Sequence, residues 1–442
     1  MQAAQQANFV RWFRAAAPYI HAFGGRTFVI AFGGEVVAEG SFVSLTHDLN
    51  LLASLGVRLV LVHGARPQIE AQLKAAGRKP QYVHGIRVTD EEALAAVKQA
   101  SGQLRVEIEA LLSMGLPNSP MANADIRVAS GNFVTARPRG VVDGVDMCYT
   151  GEVRKVDADA INTRLDDGEL VLLSPLGYSP TGEIFNVTLE DVAAQTAIAL
   201  GAEKLVFLMN EPGLKANSGR LLRELTVSDA EKLLRKGRSL SDDARLYLPH
   251  VIKACKGGAG RVHLISRHAD GALLLELFTH DGIGSMVTRD PLEQMRDATI
   301  EDVGGILRLI EPLEADGTLV KRGRERIESE IERFTVLERD GRIIGTVALY
   351  PFSGGTNAEL AGLAVHPEFR GAGRGETLLK HVEQAARNRG MTELFTLSTR
   401  TAHWFVERGF AETGVERLPE EKLQLYNYER RSKVFVKRLD TD

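Results

Sequence analysis

Between Thr27 and about Met286 the chain repeats one pattern: a short, nearly continuous apolar run, then a segment of helical periodicity. TFVIAF, VRLVLVHG, ELVLLSPLG, KLVFLM and RVHLIS are the apolar runs. Between them, Leu45, Leu49, Leu52 and Leu55 mark one helical stripe, and a second helix is expected from Leu189 to Leu200. A strand with no polar alternation has no face to give to water, so it must be covered on both sides. Such strands occur where helices flank a largely parallel sheet. The first part of the chain therefore reads as α/β, with a mostly parallel sheet and helices on both faces.

The pattern stops at SMVTRDPLEQMRDAT, which carries a proline and charges. The expected organisation is a helix over 1–24, an α/β unit over 25–287, a linker over 288–295 and a second unit over 296–442. In the second unit Val303, Ile306, Leu307 and Ile310 form a helical stripe that Pro312 is expected to stop. FTVLERDGRIIGTVALY reads as two strands joined through Asp340-Gly341, a strong hairpin signal. A strand AELAGLAV, a glycine-rich loop, a helix, the strand ELFTLS, the helix TAHWFVER and a late strand KVFVKRL follow, which is an α+β arrangement.

With 442 residues, two or three domains are expected. A net charge of -4 provides no global basic field, which argues against nucleic acid and anionic membrane as partners. The two cysteines, Cys148 and Cys255, are too few for a disulfide framework and suggest a reducing compartment. The N-terminus lacks the apolar core of a signal peptide, and no window is apolar for the ~18 residues a membrane span needs. The expected location is cytoplasmic. No His/Cys/Asp cluster has metal-ligand spacing, so no metal is expected.

The loop after AELAGLAV reads HPEFRGAGRGE. Gly371, Gly373 and Gly375 allow positive φ and close backbone approach. The loop opens a helix, so its free amides and the helix dipole favour an anion, and Arg370 and Arg374 add charge. A diphosphate suits it. It is neither the dinucleotide fingerprint, since Glu376 breaks the glycine spacing, nor a Walker loop, since no Gly-Lys-Ser/Thr follows. A glycine turn that merely connects strand and helix is the plain alternative.

The spacing Arg370-x-x-Gly373-x-Gly375 after this strand, with the order of elements around it, resembles the GNAT acetyltransferase superfamily from about Met295 to Leu439. The resemblance implies acetyl-CoA as co-substrate, with its pyrophosphate on the loop formed by Arg370, Gly371, Ala372, Gly373, Arg374 and Gly375. It also implies a strand that splays open, so that the amides of Leu363 and Val365 meet the pantetheine and the thioester carbonyl. One preorganised donor of this kind contributes about 3 kcal/mol at the transition state.

VIAFGGE, LVLVHGARPQI and VFLMNEPGL resemble the amino-acid kinase family, N-acetylglutamate kinase in particular, over about Thr27 to Val287. The kinase's phosphate-binding lysine is replaced by Ala31, its glycine triplet by Gly64-Ala65-Arg66, its organising aspartate by Asn210 and a later lysine by His250. Phosphoryl transfer depends on positioned positive charge, so kinase activity is not expected. The segment GRVHLISRHADGALLLELFTHDGIGSM resembles the arginine-binding part of arginine-sensitive relatives. The resemblance implies L-arginine as inhibitor at His263, Glu276 and Gly282, with Tyr19 completing the pocket. Without it, Glu276 reads as a solvated strand-edge charge and His263 as a satisfied core histidine. The helical stripe Phe9, Trp12, Phe13 and Ala16 suits burial against another subunit, and in the resembling enzymes such helices build a hexamer.

A kinase-like unit that has lost its chemistry, fused to a GNAT unit, resembles the N-acetylglutamate synthases of bacterial amino-acid acetyltransferase type over nearly the whole chain. The resemblance implies acetyl transfer from acetyl-CoA to the α-amino group of L-glutamate, the first step of arginine biosynthesis. A protonated amine needs a base, and Glu359 is the candidate. Attack is expected to be direct. Phe405 stands where many GNAT enzymes place an acidic tyrosine, which leaves Ser398 as the candidate acid, with Tyr426 and Tyr428 behind it. Two carboxylates on the substrate call for paired cations. Arg322, and Arg430 with Ser432, match the family's substrate-binding places. The rivals are a working acetylglutamate kinase, a non-catalytic arginine sensor and an acetyltransferase acting on protein lysines.

Overall fold

TFVIAF is buried at every position, as a strand covered on both faces must be. Its side chains divide by parity. Phe28, Ile30 and Phe32 enter one core, while Val29 and Ala31 enter the other. The computed structural model describes residues 2–236, 240–279, 281–352, 356–371, 373–424, 426 and 432–439, with side chains from residue 5. The chain divides into two units, Met1–Pro291 and Leu292–Asp442.

The first unit is built on strands β1 (Thr27–Phe32), β2 (Arg58–His63), β3 (Val128–Ala129), β4 (Leu170–Leu173), β5 (Lys204–Met209), β6 (Glu224–Thr226), β7 (Arg261–Ser266) and β8 (Ser285–Thr288). Their order is β6-β8-β7-β5-β1-β2-β4-β3. The pairings are parallel except between β7 and β8. One face is covered by α1 (Gln2–Phe23), α2 (Phe42–Ser54), α4 (Glu91–Leu112) and α7 (Ala272–Phe278); α3 (Arg66–Ala75) adds Ile69 and Leu73 to the same core. The other face is covered by α5 (Leu189–Ala199) and α6 (Asp242–Lys256). On α1, Ala16 is buried at 2% exposure, whereas Phe9, Trp12 and Phe13 stand 63%, 41% and 56% exposed.

The second unit has one antiparallel-rich sheet. Its strands are β9 (Glu293–Asp297), β10 (Phe334–Arg339), β11 (Arg342–Pro351), β12 (Asn357–Val365), β13 (Glu393–Ser398), β14 (Ala411–Thr413) and β15 (Lys433–Arg438), in the order β9-β10-β11-β12-β13-β15-β14. Asp340 and Gly341, at φ 53° and 72°, form the tight turn between β10 and β11. Helix α8 (Val303–Ala315) packs on one face and α9 (Arg374–Asn388) on the other.

Two expectations are corrected here. The linker over 288–295 shrinks from both ends, because Thr288 closes β8 and Glu293 already pairs with Arg339. Pro312 does not stop α8, which runs on to Ala315. Proline removes one backbone donor but leaves its own carbonyl free to accept, and Asp316 donates to it at 3.2 Å. Among the described residues no helix is long and apolar enough to cross a membrane.

Two buried histidines make the first unit acid-sensitive. His63, on β2, bonds Ser174 Oγ at 2.8 Å and faces the Gly64 carbonyl at 3.2 Å. Burial pushes its pKa from the ordinary 6.5 down to about 4. His263, on β7, is pushed down to about 4 by burial and by the Lys204 ammonium, against the pull of Glu276. Between these values only the unfolded chain takes up the proton, so stability is full above pH 6.5 and falls as pH drops toward 4. Each histidine then contributes about 2–3 kcal/mol between pH 7 and pH 4.5. Denaturant unfolding at the two pH values should show a loss of about 4–6 kcal/mol for the pair, roughly halved in His63→Gln. An unchanged midpoint would contradict it.

Candidate active site

β12 and β13 pair only from Asn357 to Glu359, opposite Glu393 to Phe395. Beyond Glu359 they part. On its other edge β12 stays paired with β11 to Val365, with one extra residue between Ala361 and Ala364. Gly362 sits in that bulge at φ +61°, a conformation that disfavours side chains. The bulge bends β12 while β13 stays with β15. His366 N–H donates to the Ile344 carbonyl on β11 at 2.8 Å. Amides alternate along a regular strand, so that of Val365 turns away from β11 toward the opening, while Leu363 lies in the bulge beside it.

The opening is a cavity of about 530 Å³. Glu359 and Arg322 line it, as do Ser398, Phe405, Leu363, Val365 and the glycine loop at Arg370, Gly371, Gly373, Arg374 and Gly375. Of the sequence-derived residues, Glu359, Ser398, Arg322, Leu363, Val365 and most of the loop thus surround one cavity, and Ser432 is not among those that line it. Ala372 and Arg430 lie outside the described residues, as does Tyr428. Ser432 is described and buried, and its carbonyl accepts from Tyr426 Oη at 2.6 Å.

The glycine loop runs from the short turn Pro367–Phe369 into α9. Gly373 caps the 15-residue helix α9 at φ +78° and, having no side chain, gives none to its first amides. A Cβ on Gly375 would stand 3.3 Å from Trp404 Cζ2, so glycine there keeps the loop against the indole. Arg370 Nε donates to the Val365 carbonyl at 3.1 Å. The guanidinium of Arg374 is already engaged. Its Nε donates to Glu293 Oε1 at 2.8 Å, and Arg339 shares that carboxylate at 3.0 Å. The two guanidinium groups outweigh burial and hold the Glu293 carboxyl below its usual range. Arg374 thus offers an anion its backbone amide and a guanidinium already engaged by Glu293, in a strand that begins where a linker is expected.

Glu359 is 7% exposed. Its side chain shares a face with its cross-strand neighbour Tyr350. Tyr350 Oη donates to Glu330 at 2.7 Å, and its ring lies 5.8 Å from the Arg322 guanidinium. Arg322 is 8% exposed, and its Nε has no hydrogen-bond partner among the described residues. Lys422, on the short helix α11 (Glu420–Gln424), places Nζ 2.8 and 2.7 Å from the two oxygens of Glu359. Sequence reasoning missed Lys422. The only signal for it was a charged turn after Pro419, which by itself reads as surface.

Ser398 ends β13 at 4% exposure. Its Oγ lies 2.8 Å from Thr401 Oγ1 and accepts the Thr401 amide at 3.0 Å, ahead of α10 (Ala402–Val406). An oxygen that accepts an N–H keeps its own proton available to donate.

In the first unit, His263 Nδ1 lies 2.7 Å from Glu276 Oε1 and His263 Nε2 lies 3.5 Å from Lys204 Nζ. A neutral imidazole fits both, donating from Nδ1 and accepting at Nε2. Glu276 Oε2 accepts from the Ile283 and Gly284 amides, each at 2.8 Å. Burial pushes the Glu276 carboxyl up, but His263 and these amides outweigh it and keep it low. Gly282, at φ +57°, leaves room where a Cβ would meet Glu276 Oε2 at 2.5 Å. So His263 on β7, Glu276 on α7 and Gly282 in the turn after α7 are together, and Glu276 is buried on a helix rather than solvated at a strand edge. Tyr19 packs on Phe23, whose ring lies 5.1 Å from Lys204 Nζ.

Ala31 is buried inside the core beneath β1. Asn210 accepts from Arg267 Nε at 2.7 Å. His250 lies on α6 with Nδ1 unbonded among the described residues. Neither Ala31 nor Asn210 itself carries the charge of the kinase residue it replaces, and the charges beside Asn210, Arg267 and Asp243, are bonded to it. Among the described residues no group of three or more His, Cys, Asp or Glu side chains is placed to hold a metal ion.

Comparison with known proteins agrees with this division. Residues 26–266 match the amino acid kinase family, and residues 306–410 match the acetyltransferase (GNAT) family. An amino-acid acetyltransferase of Ralstonia nicotianae is 54% identical over 435 residues, covering 98% of this chain and 96% of that protein. One from Pseudomonas putida is 54% identical over 433 residues, covering 98% of this chain and 100% of its own. The crystal structure of N-acetylglutamate synthase from Neisseria gonorrhoeae complexed with coenzyme A and L-arginine is 39% identical, with a TM-score of 0.89 over 98% of this chain and 99% of that one. The same enzyme complexed with coenzyme A and N-acetyl-glutamate gives a TM-score of 0.63.

Proposed function

The chain belongs to the amino-acid acetyltransferase family, a kinase-like unit joined to a GNAT unit that uses acetyl-CoA, and from that premise we propose that it acetylates the α-amino group of L-glutamate under feedback control by L-arginine. One observation carries the catalytic part. β12 and β13 separate immediately after Glu359, so a buried carboxylate lies at the closed end of a cleft whose open end is the glycine loop. The pyrophosphate of CoA rests on the amides from Gly371 to Gly375, and the pantetheine follows the free edge of β12. The Leu363 and Val365 amides polarise the thioester carbonyl. Glu359 takes a proton from the substrate ammonium, directly or through one water, and the free amine attacks. The tetrahedral intermediate collapses with loss of the CoA thiolate, and the second proton of the attacking amine passes to that sulfur through the Ser398 hydroxyl, which gives one proton and takes one. A thiol with a pKa near 8.5 already leaves readily, so Ser398 contributes little. Arg322, with Arg430 and Ser432, binds the carboxylates of the acceptor. The product is then N-acetyl-L-glutamate, the first intermediate of arginine biosynthesis.

Support for arginine control comes from the buried, ionised Glu276 beside Gly282 and His263, a carboxylate suited to a guanidinium or an α-ammonium. The relative crystallised with L-arginine shares both units. CoA release should require L-glutamate and fall when arginine is added. In Glu276→Gln the arginine concentration for half inhibition should rise on the order of tenfold to a hundredfold, the scale of one charge-assisted hydrogen bond. The reading fails if glutamate elicits no CoA release; its regulatory half fails if arginine inhibits the variant as well as the parent. The exposed Phe9, Trp12 and Phe13 on α1 are proposed to bury against another copy, in a hexamer like those of the resembling enzymes. A monomeric mass in light scattering would sink that assembly.

A further inference from the structure

We propose that Lys422 reads the α-carboxylate of the incoming amino acid, and that its salt bridge to Glu359 holds the place the substrate's ammonium takes. This rests on Glu359 being the base. Lys422 Nζ sits 2.8 and 2.7 Å from the two carboxylate oxygens, in a pair whose side chains are 20% and 9% exposed. A substrate amine must come within hydrogen-bond reach of that same carboxylate to lose its proton. Nζ spans both oxygens, so an arriving ammonium would have to compete with it for them, and the two like charges repel across a half-closed cleft. Lys422 therefore leaves when the amine arrives.

It has somewhere to go. In an α-amino acid the carboxylate hangs on the carbon that bears the nitrogen, about 3 Å away. Lys422 needs only to pivot from the Glu359 carboxylate to that of the substrate. The exchange conserves charge: one buried ion pair becomes two, each still matched. The other described cations that line the cavity are placed differently. Arg374 is held by Glu293, Arg408 lies 4.1 Å from the Trp404 ring, and Arg370 bonds the Val365 carbonyl. Arg322 lies beside Tyr350, across from Glu359, and suits the distal carboxylate. A lysine fits the pivoting role, since it carries a compact charge on a flexible stem, whereas arginine is a rigid fork. An amine without an α-carboxylate leaves Lys422 on the base and is turned away.

The test compares L-glutamate with 4-aminobutanoate, which keeps the amine and the distal carboxylate and lacks only the α-carboxylate. Steady-state rates at saturating acetyl-CoA are measured for the parent, Lys422→Met, Lys422→Arg and Glu359→Gln. Where turnover of 4-aminobutanoate is too slow, its dissociation constant by calorimetry replaces KM in the ratio. Lys422→Met should lower kcat/KM for glutamate on the order of tenfold to a hundredfold, chiefly through KM. It should leave 4-aminobutanoate unchanged or improved, so discrimination between the two collapses, and Lys422→Arg should restore part of it. Acetyl-CoA binding reports that each variant is folded. A discrimination ratio unchanged in Lys422→Met, whatever the absolute rates, overturns the proposal. Parent-like turnover in Glu359→Gln would instead overturn the base assignment, and the ratio would still judge Lys422.

Discussion

Glutamate-dependent CoA release by Glu359→Gln should be lower than that of the parent by a hundredfold to ten-thousandfold, the range general-base catalysis supplies. The fall should appear in kcat. Glutamine keeps the shape of the side chain and can still accept from Lys422, so the fold and acetyl-CoA affinity should hold. What it cannot do is take the proton. Glu359→Ala is the harsher variant, because it strands the Lys422 ammonium, now 2.7 Å from a carboxylate, without its counter-charge. That costs about 1–3 kcal/mol of stability in addition to the lost chemistry. Comparing the two separates proton transfer from packing. Turnover in Glu359→Gln within threefold of the parent would remove Glu359 from the mechanism and shift attention to a water held by other groups.

How far this site was legible in the sequence depends on the range of the interaction. Glu359 and the glycine loop are separated by few residues, and the strand-loop-helix pattern between them fixes their relation. The splay of β12 from β13 could be expected only through family resemblance, since it arises from the bulge at Gly362, and a lone glycine in a strand does not state which partner is lost. Long-range charge pairing was not legible at all. Glu293 lies in what reads as a linker, yet from β9 it pairs with both Arg374 and Arg339. Lys422 comes from a short helix 63 residues beyond its carboxylate. Neither pair has any periodicity to betray it. In the first unit the parity of TFVIAF was readable because both of its faces are apolar, and the sheet bears that out strand by strand. Glu276 was less so. Read without the family it belongs on a strand edge, but ALLLELF folds as a helix that turns the carboxylate inward to His263.

Arg322→Met should raise the KM for glutamate on the order of tenfold to a hundredfold while leaving acetyl-CoA binding alone. The motive is a cost the resting protein carries. The Arg322 side chain is nearly buried, it rests near the Tyr350 ring, and its Nε has no hydrogen-bond partner among the described residues. A buried donor without an acceptor costs about 1–3 kcal/mol, and a structural arginine would satisfy it. A carboxylate in the cavity would do so, and a charge-assisted bond of that kind contributes about 1.5–3 kcal/mol. Methionine fills similar space with no donor to satisfy. It should therefore weaken glutamate binding and, at the same time, leave the thermal midpoint of the second unit unchanged or higher. Arg322→Lys should rescue only part of the affinity, because an ammonium cannot reproduce two parallel bonds to a carboxylate. The two readouts must move in opposite senses. A variant that loses stability and keeps its KM within twofold would make Arg322 a support for Tyr350 rather than a substrate ligand, and would pass recognition of the distal carboxylate to other groups.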